Sequence, residues 1–180
     1  MMRKLANFIR GFRGDRRGVS AVEFALIAPI LIVFYFAIAE LTQAMMASRR
    51  AGHVASSIGD LVAQDDTITN AEMADIFKIG GIVLTPFPTT TLKMRISQLT
   101  SNSANVAKVT WSDASNNTPL GVGVTVTPPT GIISASQSII MAEVTYTYDS
   151  PVDYILPTPV TFTKVYYLRP RRTDSVTRTP

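Results

Sequence analysis

The apolar positions of this chain change period twice. From Phe24 to Ala39, sixteen consecutive residues are uncharged and mostly apolar, with no polar face. Counted from Val19 the segment reaches 21 residues, about 31 Å of helix at ~1.5 Å per residue, which matches a hydrocarbon core of ~30 Å. Pro29 lies inside it; membrane helices tolerate a mid-helix proline with a kink, and the carbonyl freed here is that of Ala25. Past Ala39 the apolar positions thin to a stripe at three- and four-residue steps: Leu41, Met45, Ser48, Gly52, Ala55, Ile58 and Val62. One helix from Val19 to about Gln64 is predicted, and Asp65-Asp66 end it.

Thr69 and Glu72 have the spacing of a capping box and open a short helix through Met73, Ile76 and Phe77, which Gly80 and Gly81 are expected to close. From there the period is two. Leu92, Met94 and Ile96 alternate with Lys93, Arg95 and Ser97, and Ala107, Val109 and Trp111 alternate with Lys108, Thr110 and Ser112. The Ser101–Asn105 turn between them predicts an antiparallel hairpin. A polar loop from Asp113 to Pro119 and a turn at Pro128–Gly131 bracket a weaker segment, Val122–Val126. Two stronger strands follow, one with Ile140, Ala142, Val144, Tyr146 and Tyr148 on a single face, the other from Val160 to Leu168. The expected class is α+β: a long N-terminal transmembrane helix, a short helix, then a small antiparallel sheet of four or five strands.

Charge adds a topology. Of the formal net +4, residues 1–17 hold Arg3, Lys4, Arg10, Arg13, Arg16 and Arg17 against Asp15 alone. Basic residues flanking a span stay in the cytoplasm. The chain therefore divides into a basic cytoplasmic leader (1–18), a transmembrane and extended helix (19–64), and an extracytoplasmic α+β domain with a C-terminal tail (65–180). Nucleic-acid binding wants basic residues interleaved with aromatics on a folded face; here they sit at the two ends of the chain. With no cysteine, disulfides are excluded.

The junction at the head of the apolar run carries the candidate chemistry. Arg16-Arg17, Gly18 and Glu23 stand directly before Phe24. A carboxylate costs roughly 2.5 kcal/mol or more at the centre of a membrane helix, and less near the interface, so one kept at the mouth of a span marks a functional position.

A basic leader, a glycine, a carboxylate five residues on and then an aromatic resembles a type IV prepilin processing region. The stretch G-V-S-A-V-E-F-A-L-I-A-P-I-L is most similar to the opening of TadE/TadG-like minor pilins (pseudopilins) of tight-adherence (Flp/type IVb) systems. The later L-T-P-F-P, V-T-W-S and L-R-P-R are also similar to such proteins. At 180 residues the chain is short for the von Willebrand-type domain of larger TadG proteins, so TadE-like is the expected label.

The resemblance implies inner-membrane insertion, cleavage by a prepilin peptidase between Gly18 and Val19, and partners among other pilin subunits. It implies neither catalysis nor a cofactor, metal, nucleic acid or small-molecule substrate. Cleavage would give Val19 an α-amino group, largely cationic with an ordinary pKa near ~7.7–8. Glu23 lies one turn away and would meet that amine or a neighbouring subunit's, which offsets part of its desolvation and fixes axial register. The helix N-terminus also favours a negative charge. Ala21, Ala25, Ala28 and Ala37 would let like helices pack closely.

Two other readings compete: a signal peptide ending at Ala37-Ile38-Ala39, and a plain single-pass anchor. Either would carry a periplasmic binding or interaction module. Remaining polar residues have bland readings. His53, the one histidine, sits on the long helix; Asp65, Asp66 and Asp113 are too sparse for a metal site. Asp149, Asp153 and Tyr154 flank Pro151 in a turn, Trp111 reads as sheet packing, and the R-P-R-R-T-D segment reads as a solvated tail.

Overall fold

The structure is a computed structural model, and it describes residues 18–180. The expected cytoplasmic leader with Arg16-Arg17 lies outside the described residues. Elements follow in the order α1 (Val19–Gln64), β1 (Thr67–Ile68), α2 (Asn70–Leu84), β2 (Lys93–Ser101), β3 (Ala107–Ser115), β4 (Ser138–Tyr148), β5 (Val160–Leu168) and β6 (Thr177–Arg178). Strands β3-β2-β4-β5 form an antiparallel sheet in that spatial order, while β1 and β6 pair in parallel. This is the α+β arrangement expected from the periodicity.

α1 is continuous over 46 residues but has two surroundings. Before Glu40 its side chains are almost all exposed; from Glu40 onward one face is buried, through Ala44, Ala47, Ala51, Val54, Ala55, Ile58 and Val62. The lower end of the expected stripe is therefore displaced, because Leu41 and Met45 point outward. Alanines take the inward positions because the helix axis runs close to β4 and β5, leaving no room there for leucine or methionine. At Gly59 a Cβ would come within 2.6 Å of Leu168 Cδ1 and 3.0 Å of Ala142 Cβ, so the helix nearly touches the sheet there.

α2 opens as the spacing predicted. The Thr69 hydroxyl accepts from the Glu72 NH at 3.3 Å, and Glu72 Oε2 accepts from the Thr69 NH at 2.8 Å. Gly80 and Gly81 do not close it; the helix runs on to Leu84, ahead of Pro86. Gly80 serves packing instead: a Cβ there would lie 2.6 Å from Met94 Sδ and 3.1 Å from Ile58 Cγ2.

Both faces of the sheet are covered. α1 and α2 lie on one, over Met94, Ile96, Ala142, Val144, Tyr146 and Tyr148. On the other, Leu99, Val109, Ile139 and Met141 pack with Ile133 and the half-buried Leu120, Val126 and Ile132. The segment read as a weak strand at Val122–Val126 belongs to this cover and is not a strand. It touches β3 through a Lys108–Thr125 bridge, and Val109 and Val124 are joined by a backbone hydrogen bond of 3.0 Å.

A bulge redirects one aromatic. Leu99 pairs with Val109 but Gln98 with Trp111, so Thr110 is an extra residue in β3. The extra residue turns Trp111 to the helical face, away from Ala107 and Val109, whose side it shares by simple alternation. Trp111 then lies beside Gln98, and the pair holds Val176 by its backbone. Trp111 Nε1 donates to the Val176 carbonyl at 2.9 Å, and the Val176 NH donates to Gln98 Oε1 at 2.6 Å. The R-P-R-R-T-D residues are mostly exposed, as expected, but the segment is tied down at both ends as a strap and is not a free tail. Arg171 donates its NH to Ala63 O at 2.8 Å and pairs its guanidinium with Asp60. Arg178 pairs with Asp113 at 2.8 Å and donates to Ile68 O. The strap is held at the end of α1 by Arg171 and against the sheet by Val176, which is buried with both peptide groups bonded to Gln98 and Trp111.

Two stability changes follow. Trp111→Phe leaves the buried Val176 carbonyl unpaired and is expected to cost about 2–3 kcal/mol, read by chemical denaturation of the full chain in detergent micelles with circular dichroism. Gly59→Ala tests the close approach by its sign. Alanine gains about 1 kcal/mol over glycine in an open helix, whereas overpacking costs about 1–3 kcal/mol. A lowered melting temperature is expected, and a raised one would show that the helix has room to spare.

Candidate processing and assembly site

All five residues singled out at the head of the chain lie at the start of α1. Gly18 is its N-cap, at φ −91° and ψ −6°, with no side-chain cap, and its carbonyl accepts from the Val22 NH at 3.0 Å. The first NH groups of a helix have no intrahelical partners, so the Gly18–Val19 peptide bond sits at the helix's least secured point. A Cβ at Gly18 would meet nothing within 4 Å. The fold itself therefore places no demand for glycine there.

Val19 and Glu23 are four residues apart on one side of the helix, and both are exposed. Phe24 is 71% exposed, and Pro29 lies on the exposed surface of the same continuous helix. Glu23 makes no ion pair among the described residues. It also stands beyond the first helical turn, which holds no acidic residue. The attraction to the helix N-terminus fades within that turn, so the dipole supports Glu23 less than the spacing implied. Ala21, Ala25 and Ala28 share a helix face at four- and three-residue steps, open to a neighbouring helix.

The helix is long and apolar enough to cross a membrane, with mean hydropathy 2.4 over its most apolar 18 residues, none of them buried. Exposed apolar surface is unfavourable in water at about 25 cal/mol per Å², so this half of α1 is suited to cover by lipid or by other helices.

A second carboxylate was not singled out from the sequence. Glu40, next after Ala39, is 2% exposed and is the first buried residue of α1. Its Oε2 accepts from the Ile155 NH at 2.7 Å, while Oε1 is buried with no partner in hydrogen-bonding geometry among the described residues. The nearby Ser150 hydroxyl, then the NH groups of Ile155, Leu156 and Tyr154, hold its carboxyl below the ordinary range, against the opposing effect of burial. The Tyr148 phenol is pushed up by burial, with the charge of Glu40 adding to it. The signal was available: a charge directly after an apolar run stands out for the same reason as one directly before it. What the sequence lacked was the partner, 115 residues away.

The remaining polar residues fall as follows. His53 is exposed on α1 beside a hollow of about 380 Å³ lined by Met46, Arg49, Arg50, Pro86 and Phe87. Asp66 accepts from the Thr67 NH at 2.9 Å, next to the end of α1. Asp149, Asp153 and Tyr154 lie in the β4–β5 loop, where Asp153 takes a left-handed φ of 52°.

No curated protein and no solved structure matches the chain. Residues 18–59, from Gly18 through the apolar run into the core-facing half of α1, match the family model described as TadE-like protein.

Proposed function

We propose that this chain is a minor pilin-like subunit of a tight-adherence (Flp/type IVb) pilus machine. It sits in the inner membrane through Val19–Ala39, N-terminus cytoplasmic and folded part periplasmic, and a prepilin peptidase matures it by cutting after Gly18. It is a substrate of that chemistry and does no catalysis of its own. Its partners are other pilin or pseudopilin subunits, which meet the exposed half of α1 in place of lipid.

The observation that carries this reading is the divided helix. One continuous α1 is built into the folded core from Glu40 on and is bare before it, down to Gly18. An element of that form delivers a folded unit to a membrane or a helical bundle without a hinge. The TadE-like match supports it, since it begins at Gly18, the residue before the proposed cut. Glu23 supports it as well: it lies one turn from the amine that cleavage would create, and no described residue neutralises it.

One observation favours a second reading, a signal peptide removed after Ala39. Burial starts at Glu40, as it would for an exported module. N-terminal sequencing of the mature protein separates the two: Val19 is expected, a start at Glu40 would establish the exported module, and Met1 a plain anchor. Gly18→Leu is expected to leave the precursor uncut by a co-expressed prepilin peptidase, and Gly18→Ala to be tolerated. Because a Cβ at Gly18 meets nothing within 4 Å among the described residues, lost processing would report on the peptidase; normal processing of Gly18→Leu would overturn the proposed cut. Glu23→Ala is expected to be processed normally but to lower subunit incorporation or piliation, and unimpaired assembly would remove its register role.

A further inference from the structure

The loop between β4 and β5 is attached to α1 at one level. Glu40 follows directly on the apolar run and binds the Ile155 NH, so Ile155 lies within a side chain's length of the point where that run ends. Around it the loop exposes Val152, Tyr154 and Ile155, at 46%, 58% and 41%. Pro151, Pro157 and Pro159 interrupt it, and it carries Asp149 and Asp153 but no lysine or arginine between Asp149 and Pro159. Three bulky residues, one a tyrosine, thus project at the end of the apolar run and continue its exposed surface. Tyrosine is enriched at membrane–water boundaries, where its ring sits among headgroups with its hydroxyl wet.

We infer that the Ser150–Pro157 loop is a second membrane contact, seating Val152, Tyr154 and Ile155 in the interfacial zone of the leaflet from which α1 emerges. The occupant is the bilayer itself. The inference rests on the reading of α1 as a span, and the surface it uses is continuous with that span. Attachment is apolar, since the loop offers no cation to anionic headgroups. Arg49 and Arg50, the nearest cations along α1, are nine and ten residues beyond Glu40, about 14 Å along the helix and beyond a Debye length at physiological salt. Glu40 sets the depth of the loop, and two contacts on one leaflet fix the tilt of the folded part where a single helix would leave it free.

The absence of cysteine allows single-site labelling. Full-length chain with an environment-sensitive fluorophore on Tyr154→Cys would be reconstituted in phosphatidylcholine vesicles containing lipids spin-labelled at the headgroup, or shallow or deep in the acyl chain. Headgroup and shallow labels are expected to quench it at least about threefold more than the deep label, an interfacial depth. Ser103→Cys, in the β2–β3 turn at the other end of the sheet, lies about 33 Å away along the 11 residues of β4 and is expected to remain unquenched. Leu31→Cys, inside the span, is expected to be quenched by the deep label. Quenching at Leu31 with none at Tyr154 would overturn the loop contact and leave the span standing; none at either would overturn both. Glu40→Ala is expected to reduce the quenching at Tyr154 several-fold, and unchanged quenching would overturn the depth-setting role. A requirement for anionic lipid would overturn the apolar mode.

Discussion

Everything in this structure depends on α1 staying one helix while its surroundings change. A helix with bulky apolar residues all round must be enclosed by lipid or other helices, and the residues before Glu40 are of that kind. A helix lying close on a sheet needs small residues at the line of contact, and Ala44, Ala47, Ala51, Ala55 and Gly59 supply them. The change falls at Glu40. Because no break separates the halves, the orientation of the sheet relative to the apolar segment is set by helical phase, and a residue inserted near Glu40 would turn the folded part by ~100° about the helix axis.

The C-terminal strap completes what α1 begins. α1 ends at Gln64, and its last carbonyls and the short β1 would be left as unpaired edges. Instead Arg171 bonds Ala63, Thr177 and Thr179 bond Asp66 and Ile68, and the Trp111–Gln98 pair holds Val176 between them. The bulge at Thr110 makes this possible, since without it Trp111 would face the opposite side of the sheet. One extra residue in β3 therefore sets where Val176, the buried middle of the strap, is held.

Legibility in the sequence followed the range of the interactions. The long helix from Val19 to Gln64, the Thr69–Glu72 box and the alternation in β2 and β4 are local patterns, each set by residues within a turn or a few positions, and each was read correctly. The misreadings share a long-range cause. Gly80 and Gly81 read as a stop because glycine ends isolated helices, but here Met94 and Ile58 need the space. Trp111 kept its packing role but changed face, which alternation cannot foresee when a bulge intervenes. The R-P-R-R-T-D segment is exposed as read, but its anchoring was missed because Asp60, which pairs with Arg171, is 111 residues away. At the head of the chain Gly18, Val19, Glu23, Phe24 and Pro29 could be singled out together because they lie within twelve residues of sequence; Glu40 was visible as a charge but not as a buried one.

The two carboxylates that frame the apolar run now differ in kind. Bringing either into a region of low dielectric costs several kcal/mol unless partners are supplied. Glu40 obtains its partners from its own chain: the Ile155 NH at 2.7 Å, with Ser150 close by. One of its two oxygens is thus met within the single folded molecule, and its role lies in holding that molecule's parts together. Glu23, by contrast, is exposed and makes no ion pair among the described residues. On the pilin reading that difference is the expected one. A residue that serves the fold finds its partner in the fold, while a residue that serves assembly stays unsatisfied until the new amine of Val19 or another subunit arrives. On that reading, pairing of Glu23 with such an amine would favour association where the surrounding helices exclude water.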